Sequence, residues 1–195
     1  AQLCYGGPAL GSPSPANVAG SVSFFDGGRT YGAGVSFGSE LFGSAVFGFT
    51  DLDDTDISIK ALSGSIGYQV TPEESTVSFC PALGVGYSFG LEIFGIDVTS
   101  WSITPSVAVS VVAEVSPTVS FVPFGQIGLV YQRVTADGGV AGEVTDSDTS
   151  GILSLGSGLM FNERVSLGPA VLIPLSDGDT TFGVFLSVAV GSGGG

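Results

Sequence analysis

Apolar and small residues alternate position by position along most of this chain, and that period of two constrains its fold more than any other feature. Thr76–Gly90 shows it most clearly. Val77, Phe79, Leu83, Val85, Tyr87 and Phe89 project one way, and Ser78, Cys80, Ala82, Gly84, Gly86 and Ser88 the other. Such alternation marks a β-strand with two different faces. Strands of soluble domains average roughly five to six residues, whereas a tilted membrane strand needs about nine to eleven. The segments here are of the longer kind.

Composition narrows the choice of solvent for the apolar face. Hydrophobic residues make up 44% of the chain and charged residues 11%, where a soluble domain carries roughly 25% charged residues. A chain so apolar needs lipid or a large partner surface to cover it. No run approaches the roughly 18 to 20 apolar residues of a transmembrane helix. The most apolar stretches, Val107–Val115 and Gly168–Leu175, are broken by Ser, Glu or Pro. A closed barrel is the other way to satisfy every backbone group in a bilayer. The 32 glycines follow no collagen-like period, and Val, Phe and Leu are too abundant for a disordered chain.

The alternation resolves into ten segments: Val18–Phe25, Thr30–Gly38, Leu41–Thr50, Ile57–Val70, Ser75–Gly90, Val98–Val115, Thr118–Val134, Gly151–Phe161, Val165–Leu175 and Thr180–Gly191. Residues 1–17, with Pro8, Pro13 and Pro15, read as an irregular amino-terminal segment at one barrel opening. Residues 18–191 form the barrel, and residues 192–195 a Gly-rich tail. Short turns at Ser39-Glu40, Thr71–Glu74, Ser116-Pro117 and Asn162–Arg164 alternate with Asp26–Arg29, Asp51–Asp56, Gly90–Asp97, Thr135–Ser150 and Ser176–Asp179. The second set holds the longest connections and most of the acids. Membrane barrels have short periplasmic turns, longer external loops and an even strand number. The expected fold is therefore a ten-stranded antiparallel up-and-down transmembrane β-barrel with both termini on the periplasmic side. A β-sandwich, with the same apolar faces as its core, is the alternative.

The outward faces fit the barrel. Val98–Val115 presents Trp101, Ile103, Val107, Val109, Val111, Ala113 and Val115, and Thr118–Val134 presents Val119, Phe121, Ile127, Leu129 and Tyr131. Tyr31, Tyr87, Trp101 and Tyr131 fall near the loop ends of their strands, where an aromatic girdle sits; Tyr68 falls near the turn end. In this pattern the chain resembles the small outer-membrane β-barrel family over nearly its whole length after residue 17. The resemblance implies the outer membrane of a diderm bacterium as location and lipid as the outer solvent. Ala1-Gln2 reads as the start of a mature chain after signal-peptide removal. Members of that family commonly end on an aromatic residue, whereas this sequence runs from Val188–Val190 into Gly191–Gly195.

The chemistry available is narrow. There is no histidine, so a serine hydrolase would have to use Lys60, the only lysine, as its base. The sequence predicts no enzyme and no cofactor. A formal charge of −14, with Arg29, Lys60, Arg133 and Arg164 as the only basic side chains, argues against nucleic acid as a partner. Asp51, Asp53, Asp54 and Asp56 are a candidate Ca²⁺ site, with a solvated acidic loop as the plainer alternative. Asp177-Gly178-Asp179 is a good tight-turn sequence in its own right. Inward positions such as Ser102, Thr104, Ser106, Ala108 and Ser110, and Ser154, Gly156 and Gly158, are small and neutral. Phe124, Gln126, Gln132 and Glu114 are the larger inward groups. They give either a narrow wet interior or a packed one, without a charged ring to select ions.

Alternation puts Cys80 on the inward face a few residues from Thr71–Glu74, and topology puts Cys4 at the same opening. In an oxidising compartment the two are expected to form a Cys4–Cys80 disulfide. The function expected is that of a non-enzymatic outer-membrane barrel with a structural or self-assembling role, homo-oligomers included. A narrow diffusion channel for small solutes and a secreted β-subunit of an extracellular layer or filament are the alternatives.

Overall fold

The computed structural model describes residues 16–38, 40–53, 58–72, 75–93, 95–138, 142–176 and 178–190. They form β1 (Ala16–Phe25), β2 (Gly28–Gly38), β3 (Leu41–Leu52), β4 (Ser58–Tyr68), β5 (Val77–Ile93), β6 (Ile96–Val111), β7 (Ala113–Ser116), β8 (Val119–Asp137), β9 (Glu143–Phe161), β10 (Val165–Pro174) and β11 (Thr181–Ala189). Each pairs with the next in an antiparallel meander, with two exceptions. β6 pairs directly with β8, and β1 pairs with β11, so the sheet closes on itself. β7 continues the line of β6 beyond a break at Val112 and also pairs with β8. Counted around the wall, the chain is a closed antiparallel barrel of ten strands. Closure leaves no sheet edge along the apolar band, which is the condition for a β-structure in lipid.

The chain stays in register with its β5 neighbour through this break: Val112 N–H donates to Thr76 O at 3.1 Å, one pair beyond Val77↔Val111. The Val112 side chain packs against Val122, Phe124 and Phe185, inside the barrel. The opposite kind of irregularity closes β9 to β10. Asn162 and Glu163 have φ of 49° and 55°, and Arg164 N donates to Phe161 O at 3.0 Å. Consecutive positive φ values are what a tight hairpin needs to match the right-handed twist of its strands.

Each of the ten expected segments overlaps a strand of the wall, and most ends agree to within three residues. Two connections differ in kind. Gly90–Asp97 and Thr135–Ser150 were expected as loops, but β5 and β6 pair as far as Ile93↔Ile96, and β8 and β9 as far as Asp137↔Glu143. These strands are polar because both faces of the extension meet water, so no apolar alternation is needed to pair them. From Tyr131 to Asp137 the ribbon climbs roughly 20 Å beyond the aromatic level.

Side chains sort as the alternation requires. Large apolar residues on the outside of every long strand are exposed, among them Val35, Phe47, Leu62, Val85, Val107, Ile127, Leu155, Leu167 and Leu186. Inside, two Phe rings are accommodated by glycine directly across a strand pair: Phe42 opposite Gly67 and Phe124 opposite Gly156. A Cβ on either glycine would run into the facing ring.

Candidate functional site

The lumen is the concave feature of the molecule, and its two ends differ. At the turn end every stave of the wall contributes a buried inward residue. Asn17 of β1, Ser36 of β2, Phe42 of β3 and Cys80 of β5 lie in this layer, with Gln69 just beyond β4. Ala108 of β6, Val122 of β8, Met160 of β9, Ser166 of β10 and Phe185 of β11 complete the circle. Side chains facing an open water passage carry accessible surface; these do not. Two apolar clusters fill the layer, Phe42–Cys80–Ala108 with Ala82, and Val122–Phe124–Phe185 with Val112 and Ala170. The Phe124 and Phe185 rings lie 6.2 Å apart and tilted by 59°.

Small residues at this level pair as hydroxyl rungs. Ser44 with Ser65 and Ser166 with Ser187 are each hydrogen-bonded at 2.7 Å. Gln69 Nε2 donates to Thr71 Oγ1 at 2.9 Å, and Thr71 bonds Ser78 at 2.8 Å, closing the β4–β5 corner.

Towards the loop end the lumen opens into two cavities of about 320 and 360 Å³. Val46 of β3, Gln126 of β8 and Leu172 of β10 line both and stand between them. Gln126 Nε2 donates to Ser106 Oγ at 2.9 Å, which fixes its amide. Among the described residues no charged side chain lines either cavity. The inward positions read from the sequence (Ser102, Thr104, Ser106, Gln126 and Ser154) are here. Ala108, Ser110 and Phe124 belong to the buried layer below, and Glu114 is exposed at the turn end.

The outer rim at the loop end is aromatic. Tyr31, Tyr87, Trp101 and Tyr131 are all exposed on the outer face. Tyr87 and Trp101 are direct cross-strand partners, and the Trp101 and Tyr131 rings lie 5.4 Å apart. Three basic side chains share this rim. Arg29 faces Phe24, Lys60 faces Phe49 and Phe89, and Arg133 faces Trp101 across their strand pairs. Sequence reasoning missed this placement, although the signal was present: Arg29, Lys60 and Arg133 are in phase with outward Tyr31, Leu62 and Tyr131. Lys60 therefore points away from the hydroxyls of the lumen.

Of the candidate Ca²⁺ ligands, Asp51 lies one residue before the end of β3, on the outer face opposite Arg29, and Asp53 follows in the turn. Asp54 and Asp56 lie outside the described residues. Higher on the ribbon, Glu92, Asp97, Asp137 and Glu143 fall in one cross-strand row. Among the described residues no group of three or more His, Cys, Asp or Glu is placed to hold a metal ion. Cys80 is 1% exposed, and no cysteine among the described residues is free. Cys4 lies outside the described residues.

No protein-family model matches the chain, and no curated protein matches it. Solved outer-membrane barrels are similar over most of their length. The KdgM porin in complex with disordered oligogalacturonate has a TM-score of 0.48 at 10% identity, over 90% of this chain and 99% of the porin. The outer-membrane enzyme PagL has a TM-score of 0.42 at 15% identity, over 89% and 99%. Omp33 of Acinetobacter baumannii has a TM-score of 0.39 at 10% identity, over 93% and 100%. Likenesses of this degree carry no functional argument, and the barrel assignment rests on this chain's own strand pairing.

Proposed function

We propose that this chain is a non-enzymatic outer-membrane barrel, sealed at its periplasmic end, that acts through its external surface as a structural or self-assembling protein. The observation that carries the reading is the layer of buried side chains contributed from all around the wall at the turn end. A conducting barrel keeps water in contact with its lining throughout, so a ring of buried inward side chains supports a closed end. The membrane location is supported by the outward apolar band and the aromatic rim with its three cations, since exposed apolar surface of this extent is unfavourable in water. The non-enzymatic reading is supported by the absence of histidine and by the outward Lys60, which leave the lumen hydroxyls without a base.

The Cys4–Cys80 disulfide belongs to this reading. Cys80 sits in the sealed layer against Phe42 and Ala108. A bond to Cys4 would tether the amino-terminal segment at that opening and reinforce the closure.

A narrow diffusion channel is the second reading, favoured by the two uncharged cavities on the loop side. It requires the sealed layer to move. Fractionation with and without detergent, combined with a heat-modifiability gel, tests the membrane reading. The folded chain should require detergent and migrate differently after boiling. Recovery in aqueous buffer without detergent would remove the membrane from the account and favour a secreted assembly.

A further inference from the structure

The two lumen cavities differ in chemistry, and that difference specifies a ligand. The first is lined by Ile152, Ala170 and Phe185 together with the shared Val46 and Leu172; it also carries the hydroxyls of Ser21, Ser23, Ser154 and Thr181, and is the more apolar of the two. The second is lined by Ser44, Ser63, Ser65, Ser102, Thr104 and Ser106, a set of hydroxyls. Gln126 stands between them with its amide held by Ser106. Ser44 and Ser65 bond one another, and Ser106 accepts from Gln126, so the hydroxyls are oriented by the wall itself. Volumes of this size fall at the lower end of small-molecule sites, which run from roughly 300 to 1,000 Å³.

Charge excludes most other ligands. Asp26, Asp51, Asp97, Asp137, Glu143 and Asp148 lie toward the loop end. These carboxylates outnumber the three rim cations Arg29, Lys60 and Arg133, so an anion approaching from outside meets a net negative potential. A cation that passes them finds no carboxylate among the described residues of either cavity to replace its hydration. We infer that the lumen is a binding site for one small uncharged amphiphile, its short aliphatic chain in the first cavity and its hydroxylated head in the second. The inference rests on the sealed lumen of the proposed function, because a site closed at one end retains a ligand that an open pore would pass.

Hexyl β-glucoside, used as a monomer with the folded chain in lipid nanodiscs, is a suitable probe. Side-chain NMR of Ile152, Ala170 and Leu172 reports the lumen, and Leu186 on the outer face reports partition into lipid. Saturable shifts at the three lumen residues are expected. Ala170→Phe, which fills the aliphatic cavity, should weaken binding at least tenfold, and Ala170→Leu should weaken it less while leaving the barrel folded. Hexanoate should bind at least tenfold more weakly than the glucoside. Shifts confined to Leu186, shifts that do not saturate, or equal binding by the two Ala170 variants and the parent would overturn the site. Ion conductance of the same nanodisc-derived protein reads the sealed layer separately, so loss of the binding site and loss of the closed-barrel reading are told apart.

Discussion

Asn17 and Ser36 face one another across the β1–β2 pair, 1% and 2% exposed, and neither side chain has a hydrogen-bond partner among the described residues. They lie two residue pairs below Ala19 and Gly34, which line the floor of the aliphatic cavity. Every other hydroxyl rung described above is closed by a bond, so this one stores unfavourable energy in the seal.

A buried polar group without a partner costs about 1 to 3 kcal/mol. Ser36→Ala removes such a group and keeps the backbone ladder. We expect it to raise the urea midpoint of the chain folded in lipid bilayers by the equivalent of about 1 kcal/mol. A lower midpoint would mean that the hydroxyl is satisfied in the folded protein.

Gly67 and Gly156 make room for the Phe42 and Phe124 rings. Gly67→Ala and Gly156→Ala should each destabilise by about 1 to 3 kcal/mol, the usual cost of overpacking. Phe42→Ala combined with Gly67→Ala should recover part of the Gly67→Ala loss, because the obstructing ring is gone. An unchanged unfolding midpoint for both single variants would show that the rings are not held over the glycines.

Much of the barrel was legible because one face of each strand meets an apolar solvent and the other does not. Val77–Phe89 and Trp101–Val111 declared both their extent and their orientation. The ribbon of Thr135–Ser150 was not legible, since Thr145, Asp146, Ser147 and Asp148 meet water on both sides and leave no alternation to read. The seal was hidden for a different reason. Ser78 and Ser88 look alike along β5 and both face inward, yet Ser78 is 0% exposed and Ser88 is not buried. What separates them is their cover: Gln69 and Thr71, beyond the end of β4, hydrogen-bond the Ser78 hydroxyl, whereas Ser88 pairs with Ser100 nearer the loop end, and alternation along β5 does not encode that difference.

Val109 lies outward, below the Trp101 level, on the band assigned to lipid. Val109→Arg should cost about 2 to 4 kcal/mol in bilayers, as a cation near the midplane of a barrel does. Arg133→Gln at the rim should cost no more than about 1 kcal/mol, because near the interface a charge is tolerated and anchors to headgroups. Equal costs at the two positions, measured by equilibrium unfolding in the same lipid, would misplace the band.

Non-reducing peptide mapping should recover the residue-4 and residue-80 peptides as one linked species. Reduction should lower stability by roughly 2 to 4 kcal/mol through the released unfolded chain. Free thiols at both positions would remove the disulfide from the account and leave Cys80 as a small apolar member of the Phe42–Ala108 cluster.

The sealed layer is the central claim, and single-channel recording in planar bilayers tests it most directly. Insertion is verified first by the heat-modifiable band of the reconstituted protein. The parent chain should be silent, while the variant combining Phe42→Ala, Phe124→Ala and Phe185→Ala should give stepwise openings, since those rings occupy the lumen at the closed height. Discrete openings by the inserted parent, at conductances unchanged by the three substitutions, would contradict the seal and make the barrel a channel.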